Sequence, residues 1–356
     1  AKSILIILLG LFPSAPAFGK QYWPTIEWKT SSPQSQDFDP RSISEMFEFI
    51  RKKQFLIDSV VIVKNGYLIG EFYSNNTNEH TLSNIYSVTK SFTSALVGIA
   101  IDKGHLKSEE QTLGSIFSKN NVVKDESKLK DVRVQNLLTM TSGLKTRDNH
   151  LSNYSGIFAL RNSKNWVDYI FSLGTEEKPG EIYNYSNGGS HILAAILPEI
   201  TGVSVEKYAE RHLFSYIGIK NYKWEKDPQG INHGYSNLEL SARDMAKLGL
   251  LYLNKGKWDQ KQIISSSWIE KSLKTHSYPN KGRFNPFKLY PFNGYGYQWW
   301  SSETAWKADL SYRKAWSLGN NAVHQSEYFL ALGYEGQYVF ILPHLNIVVV
   351  FKSQFK

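Results

Sequence analysis

The sequence predicts an α+β protein in which strands from both ends of the chain meet in one antiparallel sheet, with a mostly helical region inserted between them. Three observations predict this: strand-like runs between residues 59 and 73, a middle dominated by apolar residues at steps of three and four, and sheet-type patterning that returns only after residue 290. The chain has 356 residues and is 41% hydrophobic, enough to bury a large core. Its organisation reads as a leader at 1–17 and one domain at 18–356, with sheet parts at about 40–80 and 290–356 and the helical region at about 81–289.

The leader AKSILIILLGLFPSAPAFGK sets Lys2 before an apolar stretch at 4–12 and ends in Ala15-Pro16-Ala17. That is the grammar of a secretory signal cleaved after Ala17, so a periplasmic or secreted protein is expected. The apolar stretch falls short of the ~20 residues that cross a bilayer, which makes a retained anchor the lesser alternative. Residues 20–40, rich in Pro, Ser and Gln, read as an irregular lead-in. Asp39-Pro40 then opens a helix through about Lys52, with Ile43, Met46, Phe47 and Ile50 at core spacing. SVVIVKNGYLIGEFY is a hairpin around Asn65-Gly66, the pair suited to a type I′ turn. From Ser87, the positions Val88, Phe92, Ala95, Leu96, Ile99 and Ala100 mark a buried helix that Gly104 closes. Helices follow near 133–141, 187–201, 204–214, 241–254 and 265–274, and strands at 295–300, 327–333, 337–342 and 346–352, with a turn at 343–346.

Composition removes several classes of chemistry. The net charge of +9 and pI near 9.3 come without any Lys/Arg run that could track phosphates, so the charge is a surface property and no nucleic-acid partner is expected. Cysteine is absent, which excludes disulfides, a thiol nucleophile and thiolate zinc sites. The nine histidines are scattered singly, so neither a metal nor another cofactor is expected.

The chemistry-bearing candidate is a serine three positions before a lysine. That spacing begins at Ser87, Ser127, Ser142, Ser204, Ser311 and Ser353, and of these Ser87 alone starts a long apolar helix. Unpaired N–H groups and the helix dipole favour a developing alkoxide there by roughly 0.3–2 kcal/mol. Lys90 falls on the same face; desolvated among apolar neighbours, its amine would lose its proton more easily and could take that of the serine. By itself the tetrad is better suited to a capping serine and a solvated lysine, because Ser is a preferred cap. A proton relay to the leaving atom could come from a Tyr-x-Asn element, which occurs at Tyr73, Tyr185, Tyr235, Tyr252 and Tyr278. Tyr185 follows a Pro-Gly turn and directly precedes a helix; Tyr235, also before a helix, is its competitor. For the oxyanion, the Ser87 amide is one donor, and ALGYEGQYVF offers Gly333, Gly336 and Gln337 for a second.

Taken in order, YSVTKSF, LLTMTSGL, PGEIYNYSNGGSHILAAILPEITG, SARDMAKLGLLYLNKG, YGYQWW and GYEGQ resemble the serine β-lactamase and penicillin-binding hydrolase superfamily, in its class C-like branch, over nearly the whole mature chain. The resemblance implies an acyl-enzyme on Ser87, with Lys90 and Tyr185 sharing general-base and general-acid work and Asn187 orienting Lys90 and the substrate. It aligns the family's Lys-Thr-Gly with Tyr334-Glu335-Gly336 and gives Gln337 the second oxyanion N–H. A phenol and an acid then stand where a substrate carboxylate is usually received. GYEGQ with YGYQWW is most similar to the 6-aminohexanoate-oligomer hydrolases, and family esterases show the same loss. The expectation is therefore an exported hydrolase of a small ester or amide, with Glu335 either favouring an amine-bearing substrate or facing solvent. A β-lactamase or D,D-carboxypeptidase is one alternative, and a non-catalytic ligand sensor of the same fold is the other.

Overall fold

The computed structural model describes residues 21–120, 123, 127–146, 155–279, 294–302 and 327–353. The leader at 1–17 lies outside them. Helix α1 (Pro40–Lys52) starts on Asp39, whose carboxylate accepts from the Arg41 N–H at 2.9 Å, and its Ile43, Met46 and Ile50 are buried. Strands β1 (Ile57–Lys64) and β2 (Tyr67–Tyr73) turn on Asn65 and Gly66 at φ 51° and 81°, the two left-handed positions a type I′ hairpin requires. The short β3 (Ser83–Asn84) leads into α2 (Thr89–Asp102), followed by α3 (Val134–Leu138) and α4 (Asn187–Thr201). Strands β4 (Lys223–Trp224) and β5 (Leu238–Leu240) pair with β3 in a small second sheet. Then come α5 (Ala242–Leu253), α6 (Ser266–Leu273), β6 (Gly294–Tyr295), β7 (Trp300–Ser301), β8 (Phe329–Gly333), β9 (Gln337–Leu342) and β10 (Ile347–Ser353).

The main sheet is antiparallel with the order β2-β1-β10-β9-β8-β7-β6, so the expected meeting of N- and C-terminal strands occurs at β1 and β10. There Val61 faces Val350 and Val63 faces Val348. Alternate residues serve two cores. Val61, Val63, Val339, Ile341, Val348 and Val350 pack with α2 and α5, whereas Val60, Ile62, Leu330, Phe340, Val349 and Phe351 pack with Ile43, Met46 and Ile50 of α1. Each such aliphatic side chain contributes ~1.5–3 kcal/mol on full burial. Cover on both faces is why these strands read as nearly unbroken apolar runs.

One expected element differs. The single strand at 295–300 is two short strands, β6 and β7, with a turn in which the Gly296 N–H donates to the Trp299 carbonyl at 2.8 Å and Gln298 adopts φ 63°. The turn is buried and lined with aromatic residues, so neither polarity nor a Pro/Gly pair marks it. Among the described residues, no helix is long and apolar enough to cross a membrane, and no group of His, Cys, Asp or Glu could hold a metal ion.

Candidate active site

Ser87 sits in a 3-10 turn, Tyr86–Val88, that runs straight into α2 and leaves the serine partly exposed. Asn84 builds this turn: its Oδ1 accepts from the Tyr86 N–H at 2.7 Å and from the Asn237 N–H at 3.1 Å, while its Nδ2 donates to Asn237 Oδ1 at 2.9 Å. The same side chain thus fixes the approach to Ser87 and the loop that carries Tyr235. Tyr86 is held at φ 47°, a conformation a bulky residue adopts only where its surroundings impose it.

Lys90, one turn into the helix, is 1% exposed. Its Nζ donates to Asn187 Oδ1 at 2.8 Å and to the Tyr235 carbonyl at 3.1 Å, and lies 2.9 Å from Ser87 Oγ, within hydrogen-bond reach of the serine proton. It also lies 4.8 Å from the Tyr185 ring centroid and 5.6 Å from that of Tyr235. Ser87, Lys90, Tyr185 and Asn187 are therefore together, and Tyr235 joins them through its main chain.

Each partner is positioned by a local device. Asn187 is the first residue of α4, whose N-cap Ser186 accepts from the Gly189 N–H at 2.9 Å. The preceding loop is tied down where the Asn184 N–H donates to the Met140 carbonyl at 2.7 Å and where Ser186 and Thr146 hydroxyls meet at 2.9 Å. LLTMTSGL is thus a brace for the Tyr185 loop. The Tyr185 ring stacks on Trp300 at 6.3 Å and 23° and meets Tyr295 edge-on at 6.5 Å, with Tyr183 beyond at 5.6 Å from Tyr295. Burial, then the neighbouring tyrosines, pushes the Tyr183 and Tyr295 phenols well above the ordinary range, so both frame Tyr185 as neutral rings. Tyr235 stacks on His233 at 5.7 Å and 5°, and burial first, then His191, holds His233 down to about 4.

The third motif is placed differently from a strand. Tyr334–Gly336 form the 3-10 turn joining β8 to β9, with Glu335 at φ 59°. Gln337 is fully buried as the first residue of β9, opposite Gly333, and its amide donates to the Ser353 carbonyl. Its strand partner Gly333 lies against the nucleophile turn, where a Cβ would lie 2.6 Å from the Ile85 carbonyl oxygen and 3.2 Å from Ser87 N. Only glycine permits that approach. Gly336 packs on Ser353, away from Ser87 N. Glu335 is half-buried, not directed freely to solvent: its Oε2 accepts from the Tyr86 hydroxyl at 2.9 Å, while the Tyr86 and Tyr334 rings meet at 5.6 Å and 75°. Burial, then that carboxylate, pushes the Tyr86 phenol up to about 12. Gly333 was a sequence candidate, whereas Tyr86 and the Tyr235 carbonyl were not singled out by sequence motifs; only Tyr86's place beside Ser87 could have flagged it.

Comparison with known proteins agrees with this fold. The family model described as Beta-lactamase matches residues 47–355. The 6-aminohexanoate-dimer hydrolase of Paenarthrobacter ureafaciens is 20% identical over 279 residues, 70% of this chain and 65% of that relative's length. A Bacillus anthracis structure provisionally named a 6-aminohexanoate-dimer hydrolase superposes with a TM-score of 0.69 at 22% identity, covering 96% of this chain and 85% of its own. EstCE1, described as a hydrolase with promiscuous acyltransferase activity, gives a TM-score of 0.68 at 14% identity over 90% of this chain and 94% of its own. With the family model spanning most of the sequence, and with a buried lysine placed between a serine and a tyrosine ring, the chain belongs to the Beta-lactamase family of serine hydrolases.

Proposed function

We propose that this protein is an exported hydrolase that cleaves a small ester or amide through an acyl-enzyme on Ser87, of the kind named in its 6-aminohexanoate-dimer hydrolase and esterase relatives. The observation that carries the reading is the Lys90 amine, buried and 2.9 Å from Ser87 Oγ. Ser87 Oγ adds to the substrate carbonyl carbon and its proton passes to the Lys90–Tyr185 pair. The oxyanion is received by the Ser87 N–H and by the Gln337 N–H at the start of β9, beside Gly333, which lies against the serine. Collapse of the tetrahedral intermediate expels the alcohol or amine with that proton, and water repeats the sequence on the acyl-enzyme. Asn187, at 2.8 Å from the amine, orients it throughout. Export rests on the leader at 1–17.

The test is hydrolysis of p-nitrophenyl butyrate with intact-protein mass spectrometry. Ser87→Ala is expected to abolish turnover and the acyl adduct together; an unchanged rate or an adduct on another residue overturns the reading. Rapid nitrocefin turnover would instead make the protein a β-lactamase.

A further inference from the structure

We propose that His191 and Asp227 are positioning residues for Lys90: their buried bond holds the loop that carries the Tyr235 carbonyl against the helix that carries Asn187, and so fixes the two groups between which the amine sits. The kinetic consequence rests on the acyl-serine reading above, whereas the placement of the carbonyl does not. Lys90 Nζ donates at 2.8 Å to Asn187 Oδ1, on α4, and at 3.1 Å to the Tyr235 carbonyl, on the segment between β4 and β5. These acceptors belong to different elements, so the amine has one position only if the elements keep one spacing. His191 lies about one turn of α4 beyond Asn187, and Asp227 opens the stretch that runs to Tyr235. The imidazole Nε2 donates to Asp227 Oδ2 at 2.9 Å, and neither side chain has any exposure. Its Nδ1 is buried without a hydrogen-bond partner among the described residues, which leaves Asp227 as the polar tether of the ring.

Asp227 serves both sides of this join. Its Oδ1 accepts from the Gln229 and Ile231 N–H groups at 2.9 and 2.8 Å, which folds the loop back on itself, and Trp224 Nε1 donates to the His233 carbonyl at 2.9 Å, closing the fold just before Gly234. From there the chain passes between α4 and α2. A Cβ on Gly234 would lie 2.2 Å from the Ser190 carbonyl oxygen of α4, and the Gly234 carbonyl accepts from the Thr93 hydroxyl of α2 at 2.9 Å, one residue before Tyr235 accepts from Lys90. The His191 ring packs against Trp166 at 5.1 Å, His233 at 6.3 Å and Tyr235 at 6.4 Å. Stability alone is a poor account of the pair, because a buried ionisable pair is often no more stabilising than apolar side chains of the same volume. What the bond adds is position, since a hydrogen bond has a preferred length and angle while apolar contacts are non-directional. A misplacement of about 1 Å can cost ~10²-fold in rate.

Two variants at one site separate position from folding. His191→Leu removes the donor, and His191→Gln restores an N–H where Nε2 stands. In the full chain, with folding checked by urea unfolding, His191→Leu is expected to lower kcat on p-nitrophenyl butyrate by about 10- to 10²-fold, with KM changed less than about threefold, and to slow fluorophosphonate labelling of Ser87 in parallel. His191→Gln is expected to stay within about threefold of the wild type on both measures. An unchanged kcat in His191→Leu, or a loss that His191→Gln does not restore, overturns the proposal. If His191→Leu does not fold, Asp227→Asn decides in its place. It can keep the bonds from Gln229 and Ile231 but turns an N–H towards the imidazole, so kcat is expected to fall about threefold or more, and an unchanged kcat overturns the proposal. A crystal structure of whichever variant folds reads the placement without turnover. The Tyr235 carbonyl is expected beyond ~3.5 Å from Lys90 Nζ with Asn187 still in contact, and a carbonyl still at 3.1 Å overturns the assignment. If Ser87→Ala still hydrolyses p-nitrophenyl butyrate, the nucleophile reading fails while that crystal structure still decides the positioning.

Discussion

Two tyrosines flank Lys90, and what separates them is the group each offers the amine. Tyr235 presents its main-chain carbonyl at 3.1 Å, a contact that survives loss of its hydroxyl, and its ring is taken up in the stack with His233. Tyr185 presents its ring at 4.8 Å, closer than Tyr235 at 5.6 Å, and stands in an aromatic frame with Trp300 and Tyr295. Removing only the phenolic oxygen is therefore expected to lower kcat on p-nitrophenyl butyrate by at least ~10²-fold for Tyr185→Phe, as for a positioned acid–base group, and by less than ~10-fold for Tyr235→Phe. The reverse order would exchange their roles. In the sequence both Tyr-x-Asn elements read as lying before helices, but Tyr235 leads into β5, and no local pattern shows that its main-chain carbonyl would meet Lys90.

At the scale of elements, the buried turn between β6 and β7 works as a clasp. Gln298, 2% exposed, sends its amide to the Leu137 and Leu138 carbonyls at 3.1 and 2.9 Å, at the end of α3 where helix carbonyls lack partners of their own. Its Oε1 accepts from Ser190 of α4 at 2.8 Å, and its main-chain carbonyl accepts from Ser91 of α2 at 2.8 Å. Gln298→Leu keeps the shape but deletes three buried side-chain hydrogen bonds, so a loss of about 2–4 kcal/mol in urea unfolding is expected; a change below ~0.5 kcal/mol would mean that the clasp carries no load. The turn escaped the sequence because its residues are as apolar as the strands beside it. By contrast, α1, the Asn65-Gly66 hairpin, α2 and α4 were legible from capping residues, a turn pair and helical periodicity, all of which act locally. Motif alignment pointed to Gln337 for the second oxyanion donor, but it could not show that a hairpin turn occupies 334–336 or that Gly333, paired with Gln337, lies against Ser87. Contacts between distant strands and turns leave no local pattern to read.

Across the whole molecule, the join between the two sheets runs through Lys352. This lysine of β10 is 2% exposed, and its Nζ donates to the Leu240 carbonyl of β5 and to the Ser83 carbonyl of β3 at 3.4 Å, tying the main sheet to the small sheet that leads to Ser87. Burial lowers its pKa from 10.5 to about 7, against weaker opposing pulls from Asp58, Asp244 and Glu239. A folded-state value below the unfolded one means that between those two limits the unfolded chain binds a proton the folded chain does not, so stability rises with pH across that window. Below about 7 both states carry the charge and the fold bears the full cost of burying it. The integrated effect approaches roughly 4–5 kcal/mol at pH 10 and is partial at pH 9. Urea unfolding at pH 7 and 9 should therefore show the wild type gaining stability relative to Lys352→Met, which lacks the titrating group. Because both proteins share every other ionisable residue, the difference in their pH slopes isolates this amine even if the variant is less stable at both values. Parallel slopes would show that Lys352 stays charged in the folded protein, with the two carbonyls solvating an ammonium, and the join between the sheets would then be ionic in character.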